Sequence, residues 1–262
     1  MFRRIALLAL GAGFLLPAPA HAIRPFVTDD ARVVGHKLAQ LETWLLVDRL
    51  LIEHTALAAV GPTDWLELAA GVVQGGAHSG ADVGYSLTGP IVQAKALLAP
   101  AKSNAWPGVA VATGTFAPYG FGALAPPDWS GFGYLALTQN IDEETLLIHA
   151  NLGVVVGDQR SKSEQTSALH EDVRAGVTAG LGAQLKIVGG FHGMAEVYFG
   201  DPYDARFEHP AMQVGARYIF GPHVQADVTF GSTLVKLQSE DGRHGTEQWG
   251  TVGIRLVTPE LW

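Results

Sequence analysis

Apolar and polar side chains alternate along the stretch DVRAGVTAGLGAQLKIVGGFHGMAEVYF, residues 172–199. The odd-numbered positions of residues 173–181 make one apolar face, whereas the other face carries glycines and charges of both signs. A period of two is typical of β-strands, because successive side chains of a strand point to opposite faces. The pattern predicts two strands that meet at a tight turn near Gly182 and Ala183 and together form a β-hairpin.

The composition of the whole chain excludes several classes of protein. Apolar residues make up 48% of the 262 residues and charged residues 16%, and the mean hydropathy is +0.18, which is high for a soluble domain. Outside the N-terminus, no apolar run reaches the roughly 20 residues of a membrane-spanning helix, which excludes a helical membrane protein. The net charge of -8 offers no basic patch for nucleic acid, and the absence of cysteine excludes disulfides and thiolate chemistry.

The first 22 residues have the features of a cleaved bacterial signal peptide. Arg3 and Arg4 precede an apolar run at residues 5–16, and Ala20 and Ala22 occupy the small-residue positions before a cleavage site. We therefore expect an exported protein of a Gram-negative cell, in three parts. These are a signal peptide (1–22), an irregular N-terminal segment (23–36) and a β-barrel (37–262).

About twelve strand-like runs follow one another along residues 37–257, with turn residues between them and no amphipathic helix. They are 37–48, 51–60, 65–74, 83–98, 109–116, 132–140, 145–156, 172–181, 184–199, 212–220, 223–231 and 249–257. The fourth run is expected to change faces at Gly89 and Pro90. The 32 glycines suit the bulges and curvature of a closing sheet.

From the second strand onward, the connections alternate between short and long. Short ones fall at residues 61–63, 141–143, 182–183 and 221–222, and long ones at 75–82, 117–131, 157–171, 200–211 and 232–248. An outer-membrane barrel has this asymmetry, because its periplasmic turns are short and its outward loops are long. Two connections depart from the rule: Arg49 and Leu50 form a short outward loop, and residues 99–108 form a long periplasmic turn.

The apolar faces of these strands turn either inward or outward. A soluble barrel would turn them inward and expose its charges to water. We favour a membrane barrel, because about twelve strands enclose a space too wide to fill with Ala and Val, whereas lipid accepts such side chains outside. Aromatic residues at strand ends also match interfacial girdles: Phe199 and Phe230 adjoin long loops, and Tyr218 and Phe220 adjoin a short turn. The predicted fold is an all-β, antiparallel up-and-down transmembrane β-barrel.

The polar faces would then line the lumen. The candidate lumen-lining residues are Glu42, Glu67, Lys95, His149, Asp172, Arg174, Lys186, His192, Glu196, Arg217, Asp227 and Arg255. Acids and bases are nearly balanced, and a lumen of mixed sign can cross-link itself, whereas a lumen of one sign would select ions. Two interpretations remain open: a structural network of salt bridges that narrows the barrel, or groups that line the path of a solute.

The sequence RPFVTDDA (residues 24–31), followed by QLETW (residues 40–44), resembles the start of the outer-membrane β-barrel family named for the MetA pathway of phenol degradation. Members of that family are regarded as transporters, so the resemblance implies a barrel that takes up small, hydrophobic or aromatic compounds. Trp262 is similar to the terminal aromatic residue of outer-membrane assembly signals, although Pro259 interrupts the last strand. Asp29 and Asp30 are interpreted as a polar turn or cap; the alternative is that their segment folds into the lumen and meets Lys or Arg.

Three functions compete. The first is a passive outer-membrane channel or transporter whose partners are outer-membrane lipid and a small-molecule solute. The second is an outer-membrane lipid hydrolase that uses His149 and Asn151, for which no serine partner is identifiable. The third is a structural or adhesive barrel without transport. We predict no catalytic residue, cofactor or metal site, because the histidines lack a ligand spacing such as His-x-x-x-His. The oligomeric state stays open.

Overall fold

The computed structural model describes residues 26–78, 83–122, 125, 128–158, 173–203, 209–238 and 244–261. The predicted signal peptide, Asp172 and Trp262 lie outside these ranges. Within them the chain is all-β, with twelve long strands and three short ones. No helix in the described part of the chain is long and apolar enough to cross a membrane.

The strands follow each other in chain order with these bounds: β1 (Ala39–Asp48), β2 (Leu51–Val60), β3 (Leu66–Ala77), β4 (Gly84–Leu87), β5 (Ile91–Ala99), β6 (Gly108–Phe116), β7 (Ser130–Ile141), β8 (Leu146–Asp158), β9 (Val173–Val188), β10 (Phe191–Phe199), β11 (Pro210–Gly221), β12 (Val224–Thr233), β13 (Leu237–Gln238), β14 (His244–Gly245) and β15 (Gln248–Val257). Each long strand pairs antiparallel with its neighbours in the chain. β1 also pairs with β15, which closes the twelve long strands into a ring. The predicted antiparallel up-and-down barrel of about twelve strands is confirmed.

The turn predicted at Gly182 and Ala183 is wrong. β9 continues through both residues, and the hairpin turns at Gly189 and Gly190 instead. Gly189 has a φ of 55°, in the left-handed region that glycine adopts without strain from a Cβ. Alternation of apolar and polar residues continues past Gly182 to Ile187, and this pattern was a better guide than the glycine. Gly182 is therefore a mid-strand residue rather than a turn, and a Cβ added there would make only ordinary contacts, the nearest at 3.4 Å.

The expected change of faces at Gly89 and Pro90 is confirmed, and it divides the predicted strand in two. Ser86 in β4 points inward at an even position, whereas Ile91 and Lys95 in β5 point inward at odd positions. The backbone between β4 and β5 cannot form a full ladder, because proline has no N–H to donate.

The predicted asymmetry of the connections is also present. One end of the barrel holds the turns β2–β3, β5–β6, β7–β8, β9–β10 and β11–β12, of which the longest spans residues 100–107. The other end holds the longer connections, together with the two-residue turn at Arg49 and Leu50. We call these the turn side and the loop side of the barrel.

The outer face of the barrel is apolar and exposed. Its side chains include Leu152, Leu181 and Ile187, which are 61%, 53% and 58% exposed. Exposed aromatic residues lie at both ends of the strands, for example Phe230 on the loop side and Phe220 on the turn side. A soluble barrel would bury these residues, so the arrangement of faces is that of a membrane barrel.

A polar row interrupts the outer face on neighbouring strands. The His54 imidazole lies 2.6 Å from the Thr43 hydroxyl and 3.1 Å from the Gln74 amide, and the Tyr85 hydroxyl donates to Gln74 Oε1 at 2.8 Å. These groups satisfy one another without water. The row is therefore compatible with an apolar surrounding, in which unpaired polar groups are costly.

Residues 26–34, which we call the plug segment, lie inside the barrel. Phe26, Ala31 and Val34 are buried although this segment belongs to no strand. Asp29 and Asp30 also fold into the lumen, where both meet Lys95. The alternative interpretation of Asp29 and Asp30 is therefore the one that the structure supports, because the described part of the N-terminal segment folds into the lumen.

Candidate functional site

The lumen contains two layers, one at each side of the barrel. Buried side chains of the turn side are mostly polar or charged, and include Glu67, Lys95, His149, Arg217 and Arg255. Buried side chains of the loop side are mostly aromatic or aliphatic, and include Trp44, Phe116, Phe132, Tyr198 and Trp249. The plug segment lies between the walls, and we take its surroundings as the candidate site.

Glu196 holds the start of the plug segment. Its carboxylate oxygens accept hydrogen bonds from the backbone N–H groups of Val27 and Thr28, both at 2.8 Å. Gly180 in β9 lies two residues from Gly182, the pairing partner of Glu196, and a Cβ added to Gly180 would lie 2.4 Å from Thr28 Oγ1, so glycine leaves room for Thr28 there. A carboxylate and a glycine on adjacent strands thus form a seat for the segment.

Two further side chains accept backbone hydrogen bonds from the plug segment. The Thr138 hydroxyl accepts from the N–H of Ala31, and the Glu67 carboxylate accepts from the N–H of Val34, both at 2.8 Å. An irregular buried segment cannot satisfy its own backbone, so these acceptors replace the ladder that a strand would have. The segment is held by side chains of the wall and not by strand pairing.

Asp29 and Asp30 join the plug segment to the wall of the barrel. The Asp29 carboxylate lies 2.7 Å from Lys95 Nζ and accepts a hydrogen bond of 2.7 Å from the Tyr134 hydroxyl. Lys95 also lies 3.7 Å from Asp30, and the Asn151 amide donates to the backbone oxygen of Asp29 at 3.1 Å. The negative charges of the plug segment and the positive charge of Lys95 in the wall therefore compensate each other inside the barrel.

Other pairs of charges cross-link the wall itself. Arg217 donates to Asp227 at 2.6 Å, and both are buried. Arg255 donates to the Gln40 amide oxygen at 2.7 Å and lies 3.9 Å from Glu42. These contacts join neighbouring strands across their inner face on the turn side.

An aromatic cluster fills the loop side. The Tyr203 ring, from the connection between β10 and β11, lies 5.2 Å from Phe132, 6.1 Å from Phe116 and 6.4 Å from Trp44, measured between ring centroids. The Tyr203 hydroxyl donates to Gln93 Oε1. Next to this ring, a cavity of about 30 Å³ is lined by both layers, including Gln93 and Asp29. It has room for about two water molecules.

The candidate lumen residues of the sequence fall into three groups. Nine lie on the inner face of the wall: Glu42, Glu67, Lys95, His149, His192, Glu196, Arg217, Asp227 and Arg255. Lys186 is exposed at the turn-side end of β9. Arg174 belongs to β9 but its side chain, like all of Asp172, lies outside the described part of the chain. Whether any of them lines a solute path stays a prediction.

Sequence reasoning missed the aromatic members of the site. Phe132 and Tyr134 lie in β7, where both faces are largely apolar, so alternation could not tell which side chains point inward. Tyr203 lies in a connection, where no period exists. Gln93 was overlooked because its neighbour Lys95 carries the charge, although the two share one face of β5.

The hydrolase hypothesis finds no support in these contacts. His149 Nδ1 lies 3.0 Å from the Thr138 hydroxyl, and Asn151 bonds to the plug segment. Within the described residues, neither side chain has a hydrogen bond to a serine. The same residues contain no group of three His, Asp or Glu side chains that could hold a metal ion.

Fold and site together define a closed β-barrel of the outer-membrane type with an occupied lumen. No protein-family model matches the chain, and no curated protein matches it. Solved structures do. An outer-membrane channel of Pseudomonas putida F1 has a TM-score of 0.59 at 11% identity, over 87% of this chain and 98% of that one.

Two porins are similar in the same way. The KdgM porin, solved in complex with disordered oligogalacturonate, has a TM-score of 0.54 at 10% identity, and the match covers 83% of this chain and 98% of the porin. The NanC porin has a TM-score of 0.52 at 10% identity over the same shares of the two chains. Identities this low establish the shared outer-membrane β-barrel fold and no more.

Proposed function

We propose that this chain is an outer-membrane barrel that passes small hydrophobic or aromatic molecules through its lumen. The observation that carries the proposal is the aromatic layer inside the barrel. Trp44, Phe116 and Phe132 point away from the lipid and are buried, yet polar side chains would suit a water-filled pore better. An aromatic interior at the loop side favours entry of ring compounds from outside.

The plug segment supports a gated passage. It is held by hydrogen bonds and ion pairs from side chains, and none of residues 26–34 belongs to the sheet that forms the wall. Its departure would therefore leave the ring of twelve strands intact. The cavity of about 30 Å³ beside the segment is too small for a solute, so movement of the segment would set the width of the path.

The likeness to the Pseudomonas putida F1 channel and to two porins agrees with a passive route in the outer membrane. The oligogalacturonate of the KdgM porin is an acidic chain, for which a lumen of mixed charge and an aromatic layer is a poor match. The resemblance of residues 24–31 and 40–44 to the phenol-degradation family points instead to aromatic solutes.

Uptake by intact cells tests this function. Porin-deficient cells that make the protein should take up radiolabelled 4-methylphenol faster than cells with an empty vector, and should gain much less for a sugar of similar mass. Heat-modifiability on an unboiled detergent gel checks that the barrel is folded in the outer-membrane fraction. Equal 4-methylphenol uptake with and without the folded barrel would refute the channel.

A further inference from the structure

Tyr203 is the one member of the aromatic cluster in the described residues that does not come from the wall. It lies near the start of the connection between β10 and β11, where its backbone N–H donates to Asp201 Oδ1 at 2.8 Å. Gly200, with a φ of 69°, turns the chain inward just before it. The side chain thus enters the barrel from the loop-side mouth, while the rings that surround it belong to strands.

The surroundings of the Tyr203 ring form a slot for one aromatic ring. The Trp44 and Phe116 rings meet it nearly edge to face, at interplanar angles of 87° and 76°, and the Phe132 ring is tilted at 47°. Such geometries are the favoured ones for aromatic pairs. The three host rings come from β1, β6 and β7, so the wall alone builds the slot.

Gln93 ends the slot with a polar group. Its amide oxygen accepts the Tyr203 hydroxyl, and it points inward from β5 next to Lys95. A ring slot that ends in a hydrogen-bond acceptor is complementary to a phenol, whose ring is apolar and whose hydroxyl donates. Tyr203 is itself such a phenol, attached to the chain.

We propose that the slot between Trp44, Phe116, Phe132 and Gln93 is a binding site for monocyclic phenols, and that Tyr203 occupies it as a displaceable internal ligand. This inference deepens the proposed function and rests on it for the entry of solute from the loop side. A phenol that enters the slot takes over the contacts that the Tyr203 ring makes with the three host rings and with Gln93. The displaced side chain then leaves the mouth open above the plug segment.

Competition with Tyr203 predicts the binding behaviour of variants. While Tyr203 fills the slot, a phenol cannot bind there. The apparent affinity of the native protein for a phenol is therefore the affinity of the empty slot multiplied by the fraction of time for which the slot is free. Y203A empties the slot and should bind 4-methylphenol, the isolated tyrosine side chain, at least tenfold more tightly than the native protein does. Titration calorimetry of the folded barrel in detergent, corrected with detergent alone, measures this difference.

The hydroxyl supplies the specificity. In Y203A, 4-methylphenol should bind more tightly than toluene, and Q93L in the same background should remove that preference, because no acceptor remains for the hydroxyl. Y119A is the matched control: Tyr119 is 73% exposed outside the barrel, so its removal should leave the affinity at the native value. Y203F, which keeps the ring and loses its bond to Gln93, should give an intermediate gain.

Two results would overturn the inference. One is equal 4-methylphenol affinity in the native protein and in folded Y203A; if Y203A does not fold, absence of a gain in Y203F has the same meaning. The other is an equal gain in Y119A. The uptake assay answers a separate question. If the barrel does not raise uptake although Y203A binds 4-methylphenol more tightly, the channel alone is refuted. If the barrel transports 4-methylphenol but Y203A gains no affinity, this site alone is refuted.

Discussion

Gly180 leaves the space in the barrel wall that Thr28 of the plug segment fills. The inward position four residues earlier, Gly176, is different, because a Cβ added there would meet nothing within 4 Å. Two glycines on the same face of the same strand therefore offer a matched pair of substitutions, one inside the seat of the plug segment and one beyond it.

G180V should displace the plug segment and G176V should not. The added Cβ would lie 2.4 Å from Thr28 Oγ1, a distance that forces one of the two groups to move, and the segment moves more easily than the sheet. Planar-bilayer recording is expected to detect a higher ion conductance for G180V than for the native barrel. Native conductance in G180V, or an equal rise in G176V, would contradict this seat.

E196Q should loosen the same segment by an electrostatic route. Glu196 accepts two backbone N–H groups, and its amide analogue can accept with one oxygen only while turning an N–H toward the other donor. A loss of about 2 kcal/mol would raise the open population about thirtyfold. Bilayer recording should detect more frequent openings in E196Q. E143Q, in the exposed β7–β8 turn, serves as control and should behave like the native protein.

At the scale of the element, β9 and its hairpin explain how much the sequence could predict. Period-two alternation assigned the inner and outer faces correctly along residues 175–187, because lipid on one side and a polar lumen on the other impose that pattern directly. The turn at Gly182 was wrong, because a glycine in the middle of a strand that faces the plug segment resembles a turn glycine in sequence. Such contacts between segments far apart in the chain leave no periodic signal.

L181R should destabilise the barrel through the outer face of β9. Leu181 is 53% exposed at the middle of its strand, and an arginine there enters the hydrocarbon layer at a cost of about 2–4 kcal/mol. Urea titration of the barrel folded into lipid vesicles measures this loss of unfolding free energy. V235R, in a connection on the loop side, should cost little. Equal effects of the two arginines would mean that the outer face of β9 does not meet lipid.

At the scale of the whole molecule, the structure consists of a closed barrel, a lumen with two layers of side chains, and a plug segment inside that lumen. The wall was predictable from alternation and from the lengths of its connections. The interior was predicted only for charged residues and histidines, because the prediction followed charge, and aromatic residues such as Phe132 resemble lipid-facing residues where both faces of a strand are apolar. The plug segment could be suspected from Asp29 and Asp30 but not located, because its partners Lys95 and Glu196 lie far away in the chain.

A reversible disulfide between the plug segment and the wall tests most directly whether the lumen is the path. A Cβ added to Gly182 would lie 3.5 Å from Thr28 Cβ, within the range for a disulfide, and the chain has no cysteine to mispair. With T28C/G182C oxidised, 4-methylphenol uptake by porin-deficient cells should fall to the empty-vector rate, and reduction should restore it, while T28C alone should not respond. Uptake that is equally fast in the verified oxidised and reduced forms would contradict a path controlled by the plug segment.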